Sequence, residues 1–401
     1  MTAFKTILPA ASDAGAQATT LGVMGGGQLG RMFVHAAQRL GYFTAVLDPD
    51  VASPAGLVSH VHVQADYLDE QGLAQMLRRC AAITTEFENV PAGALATLGA
   101  HLPTAPGAEA VAVCQDRAKE KRHFLRCGVD CAPHAPVETE GQLAAVDASL
   151  LPGILKTARL GYDGKGQVTV RTRDELAAAW DALGRVPCIL ERRLALAFEI
   201  SVILARGADG TTVELPVQRN LHRDGVLAVT TVPAPGVDTA LAAQAVDAAR
   251  RIAAGLHYVG VLCVEFFVLD EAAAGARLVA NEMAPRPHNS GHYSLDACDV
   301  SQFELQVRCM TGLPLVAPRL HAPAVMLNLL GDLWFAADGT ERTPAWAGVL
   351  ALPGAHLHLY GKSSARRGRK MGHLTLTAAT PEAALAVARQ AAQILGLPAP
   401  G

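Results

Sequence analysis

Three groups of side chains in this chain have the types and spacing that chemistry on phosphates requires. The first is Lys156, set in the apolar run Ile154-Leu155-Lys156 and followed by the loop Gly161-Tyr162-Asp163-Gly164-Lys165-Gly166. Burying an ammonium is costly unless an anion or a carboxylate receives it, so a negative group belongs beside Lys156. The glycines let successive backbone N–H groups converge on an anion, and Lys165 adds a mobile positive charge. The same string also reads as a glycine hairpin with a surface lysine, and it is not a Walker loop, because G-x-x-x-x-G-K-S/T is absent.

The second group is Glu265, inside the apolar run from Val259 to Val268, and Glu282, at the end of Arg277-Leu278-Val279-Ala280-Asn281-Glu282. The two runs read as a hairpin turning at 271–276, and a symmetric pairing sets Glu265 opposite Glu282. Like charges directly opposite, with Cβ atoms ~5 Å apart, are destabilising, and apolar neighbours make the repulsion worse. A divalent cation offsets it, and Mg²⁺ suits the pair because it binds through one or two carboxylates plus phosphate oxygens. Asn281 and Glu282 offer oxygens to a second ion. Neutralisation by Arg or Lys, or a register shifted by one, is the competing explanation.

The third group is the turn Gly25-x-Gly27-x-x-Gly30 with Asp48 downstream. It matches the dinucleotide fingerprint, in which glycines bring backbone close to a phosphate at a helix N-terminus. The turn can equally hold another phosphate or simply join a strand tightly to a helix. Two further segments are rich in functional groups. The loop from Met283 to His292 contains Pro285, Arg286, Pro287, His288, Asn289 and Ser290 and suits a substrate cradle. Lys362, Arg366, Arg367, Arg369 and Lys370 suit either a solvated loop or a phosphate clamp, since arginine favours bidentate phosphate contacts.

The elements that must position these groups alternate from Leu21 onward. A short apolar strand, the glycine turn, a helix to Leu40 and a strand from Tyr42 to Leu47 make a right-handed parallel unit, the start of a doubly wound sheet. A later strand, Ala81 to Thr85, runs into Glu86-Phe87-Glu88-Asn89, acids that face a ligand crevice or belong to a surface turn. Beyond the charged helix Asp116 to Arg126 the pattern changes to hairpins, so a boundary falls near 115. Strands at Leu151 to Ala158, Gly166 to Val170 and Pro187 to Arg192, with a helix around Glu175 to Leu183, suggest a small α+β lid. VMLNLL, HLHLY and HLTLT, then a helix from Pro381 to Leu395, form a C-terminal unit.

The length of 401 residues gives a prior of two or three domains at ~150 residues each. A chain that is 50% hydrophobic and 18% charged folds rather than staying disordered. The net charge of -3 gives nucleic acid or an anionic membrane no strong attraction. The eight cysteines contain no C-x-x-C pair, which predicts free thiols in a cytoplasmic protein. No apolar run approaches the ~18 residues of a membrane span. The first twenty residues make a poor signal peptide and read as a flexible tail.

Taken together, GGGQLGRM, LDPD, TEFENVP, DRAKEK, GYDGKGQ, QRNLH, NEMAPRPHNSGH and YGK followed by GRKMGH resemble the ATP-grasp superfamily. Within it the resemblance is to the N5-carboxyaminoimidazole ribonucleotide synthetase family of purine biosynthesis, and it covers nearly everything from Leu21 to Thr377. Departures are the tail before Leu21 and Arg367, where the family pattern leads one to expect proline.

The resemblance implies an α/β and α+β architecture in three parts. These are a Rossmann-like parallel-sheet domain at 21–115, an ATP-grasp domain at 116–320 with a lid about 135–195, and a small β-rich domain at 321–401. It implies ATP between lid and central sheet. Arg117 and Lys156 would contact phosphates, and Gly161, Tyr162, Asp163, Gly164, Lys165, Gly166 and Gln167 would close over them. Glu191, Arg192, Arg193 and Leu194 would meet adenine through backbone groups. Glu199 would bind ribose, with His222 beside the nucleotide. Glu265 and Glu282 would hold Mg²⁺ next to Asn281.

The implied reaction makes carboxyphosphate from bicarbonate and ATP, without biotin, and carboxylates aminoimidazole ribonucleotide. Tyr162, Asp163, Lys165, Arg286, His288 and Lys362 would surround the reacting groups, with Asp163 or His288 as proton acceptor. Gln28, Leu29, Glu86, Asn289, Ser290, Lys362, Arg369 and Lys370 would bind the ribonucleotide, which reassigns the first glycine turn from nicotinamide to a nucleotide monophosphate. A homodimer and a hand-over to a downstream mutase also follow from the resemblance. The competing activities are a formate-dependent glycinamide ribonucleotide transformylase, an NAD-dependent oxidoreductase, and a binding protein that keeps the fold without catalysis.

Overall fold

The computed structural model describes residues 6–9, 18–161, 166–270 and 277–401. Near the N-terminus, β1 (Thr20–Met24), β2 (Phe43–Leu47), β3 (Val61–Val63) and β4 (Ala82–Thr85) form a parallel sheet in the order β3-β2-β1-β4. Leu21, Val23, Val46, Ala82 and Ile83 are buried, as strands covered on both faces require. The three-residue β3 has no apolar run of its own, and sequence periodicity passed over it. Residues 6–9 are tied down rather than free: Ile7 N–H donates to Thr311 O, and Tyr42 Oη donates to Ile7 O. The expectation of a flexible tail therefore fails for that stretch.

A second, antiparallel sheet contains β5 (His134–Val137), β6 (Gly153–Thr157), β7 (Gln167–Val170) and β8 (Cys188–Arg192), in the order β5-β8-β6-β7. Leu176 and Trp180 of the helix Arg173–Ala182 pack with Leu155, Val170 and Leu190 into a separate small core. This is the unit expected as a lid.

The body is a nine-stranded sheet. It is built from β9 (Leu196–Arg206), β10 (Thr212–Glu214), β11 (Gln218–Arg223), β12 (Val226–Val232), β13 (Gly260–Leu269), β14 (Arg277–Ala284), β15 (Ala324–Leu330), β16 (Ala355–Leu359) and β17 (Lys370–Thr377). The order is β14-β13-β9-β11-β12-β15-β17-β16, with β10 pairing β9. Successive residues of β9 serve opposite faces: Ile200, Val202 and Leu204 meet Ala245, Ala249 and Ile252 of helix Thr239–Gly255, while Ile203 and Ala205 join Leu305 and Cys309 of helix Gln302–Thr311. Cover on both faces explains the apolar run that surrounds Glu265 in β13. The C-terminal strands extend the central sheet through β12 and β15 and carry helix Pro381–Leu395 on top. All eight cysteines are free, and no described helix is long and apolar enough to cross a membrane.

One buried side chain joins the first sheet to the body. Gln306 Nε2 donates to Thr84 Oγ1 at 3.0 Å and to Ala105 O at 2.9 Å, while Gln306 Oε1 accepts from Val261 N–H at 2.6 Å. Gln306→Leu keeps the volume and abandons three buried partners. At about 1–3 kcal/mol for each unsatisfied group, it is expected to cost about 3 kcal/mol or more, read as a lower urea midpoint. A midpoint indistinguishable from the parent would show that these bonds do not hold the two units together.

Candidate active site

All three units contribute to one cleft with a cavity of about 330 Å³. Glu88 comes from the loop after β4, Arg117 from the start of helix Arg117–Arg126, Lys156 from β6, Glu199 from β9 and His222 from β11. Glu265 comes from β13, Asn281 and Glu282 from β14, Arg286 and His288 from the following loop, and Lys370 from β17.

Glu265 does face Glu282 across the hairpin, but a bulge follows at once, so Phe266 pairs with Ala280 and Asn281 is the extra residue. Both competing registers are therefore present, one on each side of the bulge. The bulge frees backbone groups that helix Arg117–Arg126 takes up: Lys121 Nζ donates to Asn281 O at 2.6 Å, and Met283 N–H donates to Glu120 Oε1 at 2.7 Å. The competing explanation, neutralisation by Arg or Lys, holds for Glu282. Arg117 Nη1 lies 3.2 Å from Glu282 Oε2, and Arg117 with Lys156 outweighs burial to hold Glu282 below the usual carboxylate range.

Glu265 is 8% exposed, and burial, opposed by His222 and reinforced by Glu282, pushes it up to about 7. Its Oε1 and the Oδ1 of Asn281 are both buried without a hydrogen-bond donor among the described residues. Orphaned oxygens beside two carboxylates are a donor set that fits a hard divalent cation. Next to them His222 Nδ1 stands 2.7 Å from Glu199 Oε2; burial favours the neutral ring, but Glu199 prevails and His222 rises to about 9.

The anion expected beside Lys156 is the side chain of Glu191, which lies 2.9 Å from Lys156 Nζ and 3.5 Å from Lys121 Nζ. Burial would raise Glu191, yet the two lysines bring it down to about 2. Arg192, Arg193 and Leu194 line a second cavity of about 220 Å³ with Cys131, Leu269 and Val279. Gly161 O accepts from Arg117, and Gly166 O accepts from Thr157 N–H. Gln167 pairs with Lys156 across β6 and β7. Tyr162, Asp163, Gly164 and Lys165 lie outside the described residues.

At the other end of the cleft Arg286 Nε donates to Glu88, an acid left open between crevice and surface turn by sequence alone. His288 Nδ1 is 2.9 Å from Ser290 Oγ, and His288 Nε2 is 3.7 Å from Glu265 Oε1. Burial, with Arg286 and Lys370 nearby, holds His288 well below the usual histidine range, so the ring is neutral. Ser290, expected to meet substrate, is 0% exposed; its hydroxyl accepts from Ser201 Oγ and stands behind His288. Asn289 is also buried, and both polar atoms of its amide lack a partner among the described residues.

The first glycine turn is filled by the chain itself. Gly26 N–H donates to Asp48 Oδ2 at 2.7 Å, while Gly27 and Gly30 N–H donate to the two oxygens of Glu86 at 2.9 and 3.2 Å. Glu86 thus contacts the turn, where contact with the ribonucleotide was expected. Asp48, the acid a dinucleotide ribose would need, also receives Tyr67 Oη and Asp50 N–H. Gln28 and Leu29 open the helix that follows. In the basic loop only Lys370 reaches the central cleft. Lys362 Nζ donates to Lys370 O and lines a neighbouring cavity, and Arg369 Nη1 donates to Ser364 O.

Sequence reasoning left Glu88 open between crevice and turn and missed Glu120 and Lys121. A signal for the last two was present, because Arg117, Glu120 and Lys121 at i, i+3 and i+4 share one helix face.

Comparison with known proteins matches three family models in order: a ribonucleotide synthetase preATP-grasp domain over residues 18–115, an ATP-grasp domain over 122–303, and a phosphoribosylaminoimidazole carboxylase C-terminal domain over 324–387. The N5-carboxyaminoimidazole ribonucleotide synthase of Brucella melitensis is 44% identical over 361 residues, 89% of this chain and 96% of the relative. That of Bacillus subtilis is 39% identical over 88% of this chain and 90% of its own. An ADP complex of an N5-carboxyaminoimidazole ribonucleotide synthetase superposes with a TM-score of 0.87 at 36% identity, covering 99% of both chains. The Aspergillus clavatus enzyme with ADP and aminoimidazole ribonucleotide gives 0.84 at 30% identity, over 94% of this chain and 98% of its own. With its fold and these relatives in agreement, the chain belongs to the N5-carboxyaminoimidazole ribonucleotide synthase family of ATP-grasp ligases.

Proposed function

We propose that this chain uses ATP and bicarbonate to carboxylate 5-aminoimidazole ribonucleotide, giving N5-carboxyaminoimidazole ribonucleotide, ADP and phosphate in purine biosynthesis. The observation that carries this reading is the pair of donorless oxygens, Glu265 Oε1 and Asn281 Oδ1, in a cleft that also holds Arg117, Lys156 and His288. Mg²⁺ would be held by Glu265 and Glu282 with Asn281 adjacent, and bound there it would offset charge on the triphosphate. Arg117 and Lys156 bind phosphate oxygens, and the second cavity beside Arg192, Arg193 and Leu194 takes the adenine. Glu199, fixed by His222, orients the ribose.

A bicarbonate oxygen attacks the γ-phosphorus as ADP leaves, and the resulting carboxyphosphate releases carbon dioxide and phosphate. Arg286, oriented by Glu88, holds the anionic carbon unit. His288 is neutral and its Nδ1 accepts from Ser290 N–H, so Nε2 carries the ring proton and offers a donor to the carbon unit, and Asp163 is the proton acceptor for the amine that attacks carbon dioxide. Tyr162, Asp163 and Lys165 keep the roles that the family pattern gives them, and lid closure keeps water from the intermediate. The ribonucleotide phosphate rests at Gln28 and Leu29 with Lys362, Arg369 and Lys370, and Asn289 offers its unpartnered amide to the rest of that substrate. The protein works in the cytoplasm as a homodimer and passes its product to a mutase.

Three measurements test this. Phosphate release is expected with aminoimidazole ribonucleotide plus bicarbonate and not with glycinamide ribonucleotide plus formate; the reverse pattern would make it a transformylase. Glu282→Gln is expected to lower kcat about 100-fold at saturating Mg²⁺, about 2.7 kcal/mol of transition-state stabilisation, and an unchanged kcat would remove Glu282 from the metal site. His222 has a folded pKa of about 9, above its unfolded value, so its stabilising contribution is complete below about pH 6.5 and disappears as pH rises through about 9. The stability difference between wild type and His222→Gln should therefore shrink from about pH 7 to about pH 10; a difference that stays constant would mean the ring is not charged in the folded protein.

A further inference from the structure

A cluster that the reaction does not use lies where the C-terminal strands meet the short helix Ser294–Ala297. His358 of β16 and His373 of β17 are directly paired, with rings stacked at a centroid distance of 4.5 Å and an angle of 11°. Asp296 reaches them from the helix, with its two oxygens 2.9 and 3.1 Å from His358 Nε2. His356 Nδ1 is 3.7 Å from the same carboxylate. One ligand atom from each of Asp296, His358 and His373 falls within 4.8 Å of the others.

A hydrogen-bonded Asp–His pair would account for Asp296 and His358 but not for the other two rings. His373 is 0% exposed; Tyr360 Oη occupies its Nδ1 at 3.0 Å, and its Nε2 is buried without a partner among the described residues. His356 shows the same division, with Nε2 3.3 Å from Thr377 Oγ1 and Nδ1 towards Asp296. An imidazole with one nitrogen fixed by a neighbour and the other presented to a common point is how proteins hold ligating histidines. Imidazole nitrogens with one carboxylate suit Zn²⁺ and its first-row neighbours, whereas Mg²⁺ prefers oxygen alone. Tetrahedral ligands at ~2.0–2.1 Å from zinc stand about 3.4 Å apart. Stacked imidazoles do not aim their in-plane lone pairs at one ion, so the His358 ring, a third exposed, would have to turn out of its stack on His373 as the side chains draw in by roughly an ångström.

We propose that Asp296, His358 and His373, with His356 as fourth donor, form a zinc-class metal site that fastens the β16–β17 hairpin to the central unit. The loop of that hairpin carries Lys362 and Arg369 and ends at Lys370, so the ion would hold the basic loop in place from behind.

The test is titration of the full chain, freed of metal with a chelator, with Zn²⁺ and with Co²⁺. One equivalent of Zn²⁺ should bind and raise the thermal midpoint, excess Mg²⁺ should not displace it, and Co²⁺ should give visible bands without thiolate charge transfer. Asp296→Asn, which keeps the shape of the side chain, and His356→Ala, at a position open to solvent, should each weaken Zn²⁺ binding at least about 10-fold while circular dichroism stays native. Binding that is equally tight in both folded variants, Co²⁺ spectra dominated by thiolate, or no Zn²⁺ binding by the wild type at micromolar concentration would each overturn the proposal.

Discussion

Two carboxylates on neighbouring strands cannot both stay charged at pairing distance without positive charge between or beside them. Glu265 and Glu282 are in that position, and most of the cleft can be understood as the answer to it. Arg117 serves Glu282 directly, so Glu282 stays ionised. Glu265, deeper and without a donor on Oε1, is pushed towards the neutral form instead. The asymmetry leaves a site that gains most from an added cation, because such an ion would ionise Glu265 and engage Asn281 Oδ1 at once. Strands β9 and β13, covered by helices on both faces, keep the two acids from relaxing apart.

The bulge that exposes Asn281 is held from outside the sheet. A bulge interrupts the ladder and leaves backbone groups in need of partners. Glu120 and Lys121 take two of them, and Lys121 turns also to Glu191, which pairs with Lys156 on the lid. One helix face therefore fixes the acids of the body and, through a single buried glutamate, the position of the lid lysine. Removing one member of such a buried set leaves an uncompensated charge, at about 3–5 kcal/mol. The unit of β5 to β8 has its own small core, and Glu191 ties it to helix Arg117–Arg126 through Lys121.

Much of this was legible in the sequence because it follows from short-range pattern. The period of the strands, the apolar run around Glu265, the helix from Pro381 to Leu395 and the facing of Glu265 with Glu282 could all be read from spacing. The partner of Lys156 was legible only as a requirement for negative charge; that Glu191 meets it depends on β6 and β8 being neighbours. What was hidden depended on contacts between distant segments. Nothing near Gln306 announces that it ties Val261 to Thr84, and nothing near Ser290 announces that it faces inward. The three-residue β3 is too short to carry a period. The continuity of the C-terminal strands with the central sheet is a pairing of β12 with β15, which no local pattern encodes.

The glycine turn is closed by its own chain. With Gly26, Gly27 and Gly30 donating to Asp48 and Glu86, the turn has spent three backbone donors on its own carboxylates. A phosphate at Gln28 and Leu29 would then need donors from outside the turn. The C-terminal chain comes close: Tyr360 is buried in the core of the first unit, and Gly361 follows with φ of +71°. A Cβ at Gly361 would come within 2.9 Å of Arg31 Nη1, so the backbone approaches the first helix as closely as glycine allows. Lys362 follows at once, and Arg369 and Lys370 return on β17. The strands that extend the central sheet thus bring the start of the basic loop against the first unit.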